Sequence, residues 1–121
     1  MRDSSVLVVE DDLDIREGIA EVLDDAGFRV ATAAHGQEAL TYLRDATDLP
    51  TVILLDLMMP VMSGFELVAE LRVDARLARI PIVLLSGDSQ VSEAATRLAA
   101  VAFIRKPTTV DKLVKTLDRV R

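Results

Sequence analysis

Four short blocks hold the side chains able to do chemistry: Glu10-Asp11-Asp12, Asp56, Ser86-Gly87 and Arg105-Lys106-Pro107. Taken singly, each has an ordinary explanation. Asp12 or Asp14 can cap a helix, and Asp14 with Glu17 fits a capping box. Asp56 can close a turn, Ser86 can cap, and Lys106 can be a solvated surface lysine. All four blocks, however, close apolar runs of strand length, and that coincidence points to one shared rim. Like charges about 4 Å apart repel by about 4 kcal/mol at an effective dielectric of about 20. Glu10, Asp11 and Asp56 therefore call for a cation if they meet. With oxygen ligands only, no Cys and a single isolated His, the natural partner is Mg²⁺ rather than a transition metal. Phosphoryl transfer explains the remaining groups. Charge on three equatorial oxygens needs neutralising, and Mg²⁺, the Lys106 ammonium, the Ser86 hydroxyl and a backbone N–H left accessible by Gly87 supply that. A carboxylate in such a setting can be the nucleophile, giving an acyl phosphate.

The elements that must position these groups follow from hydrophobic pattern. Val6–Val9, Val52–Leu55 and Ile82–Leu85 are continuous apolar runs, as in strands buried on both faces. Phe28–Thr32 reads as a weaker strand at a sheet edge, with Arg29 exposed, and Val101–Ile104 as the last strand. Helical spacing joins Ile15, Ile19, Val22, Leu23 and Ala26, stopped by Gly27 at a C-cap. Further helices are marked by Ala39, Leu40 and Leu43, by Phe65–Arg72, and by Val110, Leu113, Val114, Leu117 and Val120. Ser92–Ala100 is helical by propensity, with a shallow apolar face that should pack less firmly. Regular β-α alternation of this kind implies a parallel sheet covered on both faces, with ligands at the carboxyl ends of its strands.

The bulk of the chain fits one domain. Its 121 residues leave no room for a second, and its 50% hydrophobic content supports a core with 3% aromatics. A formal charge of −6 opposes a nucleic-acid-binding surface. The basic residues Arg105, Lys106, Lys112, Lys115, Arg119 and Arg121 read mainly as solvated faces. No signal peptide, membrane span, linker or internal repeat is visible, which suggests a cytosolic protein. His35, before Gly36, reads as a surface residue.

Across all four blocks, in order and at the right spacing, the sequence resembles the receiver domains of two-component response regulators. The resemblance is carried by Val6-Leu7-Val8-Val9-Glu10-Asp11-Asp12, by Leu55-Asp56-Leu57-Met58-Met59-Pro60 with Gly64, by Leu85-Ser86-Gly87, and by Phe103-Ile104-Arg105-Lys106-Pro107. It implies a flavodoxin-like, doubly wound, three-layer α/β/α fold, with five parallel strands in the order 2-1-3-4-5 and five helices. It implies a single receiver domain over residues 1–121 without an effector domain, and signalling rather than catalytic turnover. Asp56 would accept a phosphoryl group from a histidine kinase or histidine phosphotransfer protein. Mg²⁺ would be held by Asp11, Asp56, the Met58 backbone carbonyl and Glu10, the last mostly through water. Ser86 and Lys106 would contact the phosphoryl group, with Met58, Gly87 and Asp88 flanking it. Lys106-Pro107 would be a cis peptide. Phe103 would be the aromatic switch, turning inward with Ser86 and changing the face made by the fourth helix, fifth strand and fifth helix.

Two departures from the family pattern stand out. Thr108 replaces a frequent aromatic, and Ala99–Ala102 lacks the acidic residues of regulators that dimerise through this face. A monomer is expected before phosphorylation, because the faces of the last two helices show no large apolar patch. Three rivals fit less well. A small aspartate-nucleophile phosphatase of the haloacid-dehalogenase type would want a second acid where Met58 stands. A flavin module would want a phosphate loop where Glu10-Asp11-Asp12 stands. A pseudo-receiver would lack Asp56 or Lys106.

Overall fold

Parallel strands buried on both faces need apolar side chains in both directions of the pleat, and the first such run becomes β1, Ser5–Val9. A computed structural model of the chain describes residues 4–57, 59, 62–87 and 90–120. After β1 the elements follow in strict alternation: α1 (Leu13–Asp25), β2 (Arg29–Ala33), α2 (Gly36–Asp45), β3 (Val52–Asp56), α3 (Gly64–Arg72), β4 (Ile82–Ser86), α4 (Val91–Arg97), β5 (Ala102–Arg105) and α5 (Val110–Val120). All strand pairings are parallel and the order is β2-β1-β3-β4-β5. This is the expected flavodoxin-like, doubly wound sheet.

Alternation along the strands divides the core in two. Leu7, Val9, Ile53, Leu55, Ile82 and Leu84 face one way and pack with residues of α2, α3 and α4. Val6, Val8, Val52, Leu54, Val83 and Leu85 face the other way and pack with residues of α1 and α5. Burying each such side chain contributes about 1.5–3 kcal/mol. From β1 the chain passes to β2 on one side and, through α2, to β3 on the other. The crevice between the carboxyl ends of β1 and β3 is therefore the switch point where such sheets bind ligands.

Local signals set the helix ends, and some differ from expectation. Asp12 caps α1, accepting from the Ile15 N–H at 3.0 Å, so Asp14 lies inside the first turn and makes no capping box with Glu17. Gly27, at φ 95°, reverses the chain after α1, as its lack of a Cβ allows. His35 is more than a surface residue. Its Nδ1 accepts the Glu38 N–H at 3.2 Å and caps α2. Ser63 and Glu66 form a full capping box on α3. Helix α4 covers only Val91–Arg97, and its small apolar face, Val91, Ala94 and Ala95, is buried against the core. It ends where Ala99 adopts φ 55°, a left-handed conformation that costs a residue with a Cβ about 1–2 kcal/mol. The Arg72 guanidinium donates to the Leu98 carbonyl at 3.1 Å and holds that turn.

Strand β5 starts one residue later than expected. Val101 lies before it, with its N–H on the Ile82 carbonyl, and Arg105 pairs with Ser86 at the end. Val101 and Phe103 are 54% and 41% exposed at the α4–β5 face, and Val110 of α5 is 57% exposed. That face is less polar than its sequence suggested, because the short alanine side chains of α4 do not cover the strand's outer residues. Among the described residues no helix is long and apolar enough to cross a membrane.

Candidate functional site: an acidic cluster with one lysine

Strand pairing carries Asp56 and Ser86 to the rim. Asp56 is the last residue of β3, opposite Leu85, and Ser86 is the last of β4, opposite Arg105. Both are buried, at 5% and 1% exposure. Glu10 follows β1 directly, and its N–H donates to the Ala33 carbonyl at the end of β2 at 3.1 Å. The Glu10 side chain is buried as deeply as the core, which is affordable for a carboxylate only with partners. It has them. Lys106 Nζ donates to Oε2 at 2.9 Å, and the Asp12 N–H donates to Oε1 at 3.3 Å.

Lys106 stands between two acids. The same ammonium lies 3.7 Å from Asp56 Oδ2. Its backbone N–H donates to the Ser86 carbonyl at 2.9 Å, extending the β4–β5 ladder by one bond beyond β5, and the Lys106–Pro107 peptide is cis as expected. Asp11 is exposed beside the buried pair, and carboxylate oxygens of Glu10, Asp11 and Asp56 all lie within 4.8 Å of one another. Three carboxylates thus face one ammonium. A site with hard oxygen donors only and surplus negative charge fits Mg²⁺.

The other expected residues divide. Gly87 is exposed, and a Cβ added there would meet nothing within 4 Å, so its backbone is open to approach. Phe103 sits away from the carboxylates on β5, opposite Leu84, with its ring substantially exposed. Met58 and Asp88 lie outside the described residues. Gly64 is tied to the segment after Asp56. Its N–H donates to the Leu57 carbonyl at 3.0 Å, and a Cβ there would lie 2.8 Å from Leu57 Cα and 3.0 Å from the Asp56 carbonyl oxygen. Only glycine permits that approach.

Arg16 was not singled out by sequence reasoning. From α1 its guanidinium donates back to the carbonyls of Glu10, at 2.9 Å, and Asp11, at 3.5 Å. A basic residue one turn into the helix that follows an acidic block is the only signal that would have found it. A separate hollow of about 770 Å³, lined by Ser5, Arg29, Tyr42 and Arg76 among others, opens at the amino ends of the strands, far from this chemistry.

Comparison with known proteins identifies the family. The family model described as response regulator receiver domain matches residues 6–118. The response regulator Rre1 of Synechocystis sp. is 34% identical over 112 residues, which cover 90% of this chain and 48% of that protein. The chain thus spans about half the length of such relatives. Among solved structures, the chemotaxis response regulator CheY4 of Vibrio cholerae is 36% identical, with a TM-score of 0.88 and 98% of each chain covered. The response regulator protein TrrA of Thermotoga maritima, solved in complex with Mg²⁺-BeF, is 29% identical with a TM-score of 0.84, covering 98% of this chain and 99% of that one. The four sequence blocks, the strand order and the acidic crevice therefore have one common explanation: the chain belongs to the response regulator receiver domains of two-component systems.

Proposed function

We propose that this domain is a phosphoacceptor switch of a two-component or phosphorelay system and that Asp56 is the residue phosphorylated. The observation that carries this reading is the meeting of Glu10, Asp11, Asp56 and Lys106 at the carboxyl ends of β1, β3 and β5. An Asp56 carboxylate oxygen attacks the phosphorus of a phosphohistidine on a histidine kinase or histidine phosphotransfer protein. A P–O bond forms as the P–N bond breaks, and the imidazole leaves with the electron pair. Asp11, Asp56, the Met58 carbonyl and, mostly through water, Glu10 would hold Mg²⁺, which supplies charge neutralisation at the phosphoryl oxygens. Lys106 trades its contact with Asp56 for a phosphoryl oxygen while staying anchored on Glu10. The Ser86 hydroxyl and the Gly87 N–H donate to the other oxygens.

The readout follows from Ser86. As its hydroxyl moves to the phosphoryl group it vacates space beneath β5. The Phe103 ring turns inward from its exposed position, and the α4–β5–α5 face changes shape. The domain is a cytoplasmic monomer before phosphorylation, acting on a protein partner rather than on nucleic acid. It turns over nothing beyond its own phosphorylation and slow dephosphorylation. Exposure to acetyl phosphate and to para-nitrophenyl phosphate tests this. The expected result is one phosphoryl group per chain, dependent on Mg²⁺, with negligible release of para-nitrophenol. Sustained release would instead favour a small aspartate-nucleophile phosphatase.

A further inference from the structure

We infer that Arg16 is a positioning residue for the metal-binding carboxylates, acting on the backbone of the acidic loop and not through its charge. The inference rests on the reading that Asp11 and Glu10 hold Mg²⁺. The Glu10 side chain is fixed on both oxygens, by Lys106 and by the Asp12 N–H, and its own N–H is tied to Ala33. Asp12 is fixed as the cap of α1. Asp11, between them, is exposed, and among the described residues no comparable side-chain bond orients it. Its direction therefore depends on the two peptide planes that flank it. The carbonyl oxygens of those two planes belong to Glu10 and Asp11, and they are the two atoms that Arg16 Nη1 grips, at 2.9 and 3.5 Å. Arg16 is itself anchored in α1, its N–H donating to the Asp12 carbonyl at 2.9 Å. Loop and helix thus close into a ring around one guanidinium nitrogen, Nη1, whose two N–H groups are held in the plane of a rigid group, unlike the freely turning ammonium of a lysine on its flexible stem.

The sign of the effect separates this role from the obvious alternative. A cation close to an acidic site repels a divalent ion, so removing a mere nearby charge would tighten Mg²⁺ binding. Removing a group that orients the ligands weakens it, and loss of such an outer partner typically costs about 10–100-fold in metal affinity. Direct titration calorimetry with MgCl₂ on wild type, Arg16→Met and Arg16→Lys reads the difference, and thermal unfolding in chelator checks the fold. The expected result is a roughly tenfold weaker affinity in Arg16→Met and a smaller loss in Arg16→Lys. Phosphorylation by acetyl phosphate should return close to the wild-type rate at saturating Mg²⁺. Unchanged or tighter binding in Arg16→Met overturns the inference. If Arg16→Met does not fold, Arg16→Lys decides alone, and an affinity equal to wild type overturns it. Wild type failing to bind Mg²⁺ would instead count against the proposed function.

Discussion

Lys106 and Glu10, 96 residues apart in the chain, meet at 2.9 Å, and this ion pair ties the end of β5 to the end of β1 across β3 and β4. Glu10's side chain keeps only 2% of its exposure and that of Lys106 keeps 26%. The pair is thus a buried acid balanced by a partly wet ammonium, and the same ammonium serves Asp56. Removing it leaves buried carboxylates facing one another.

Lys106→Met should therefore destabilise the metal-free domain by on the order of 2 kcal/mol. That is less than the about 3–5 kcal/mol of a fully buried broken pair, because Lys106 is partly solvated. Mg²⁺ should restore much of the loss by replacing the missing positive charge. Urea unfolding in chelator and in excess Mg²⁺ measures both. Unaltered stability in chelator, or no response to Mg²⁺, would mean the carboxylates do not depend on Lys106 for balance.

Glycine substitutions separate close approach from helix propensity. Gly64→Ala puts a Cβ 2.8 Å from Leu57 Cα, so backbone must shift. A loss of roughly 1–3 kcal/mol is expected, with slower phosphorylation because the segment that follows Asp56 moves. Gly18→Ala in α1 meets nothing within 4 Å and should be neutral or gain up to about 1 kcal/mol. Equal effects at the two positions in thermal unfolding would refute the distinction.

A third expectation concerns how long the signal lasts. On the proposed reading, hydrolysis of the acyl phosphate needs a water in line with the Asp56–phosphorus bond, and Met58 and Asp88, two residues after Asp56 and Ser86, would border that approach. Met58, bulky and only a weak acceptor, would cover the phosphoryl group without orienting water. Met58→Asn should shorten the phosphorylated state, read as decay after removal of the phosphodonor. Decay no faster than wild type would defeat the occlusion argument, and a large slowing in Asp88→Ala alone would make Asp88 the group that places water.

Much of this was legible in sequence because strands buried on both faces leave unbroken apolar runs, and the polar residue ending each run lies at a strand's carboxyl end. Asp56 and Ser86 were found in that way. What was missed depends on contacts that periodicity does not encode. His35 caps α2 through a ring nitrogen, outside the usual set of capping oxygens. Arg16 reaches back to carbonyls that become neighbours only once the acidic loop has folded. The end of α4 rests on Arg72 gripping Leu98 from another helix, so propensity alone carried the helix too far. The apolar exposure at Val101 and Phe103 follows from strand register, which fixes the side of β5 each residue faces.

Phosphorylation at Asp56 is tested most directly by trapping the acyl phosphate. The domain is treated with acetyl phosphate and Mg²⁺, reduced with borohydride, digested and sequenced by mass spectrometry. The expected outcome is homoserine at position 56, absent from Asp56→Asn and from wild type treated in excess chelator. Homoserine at another aspartate, or phosphorylation that persists in Asp56→Asn or without divalent metal, would contradict the account.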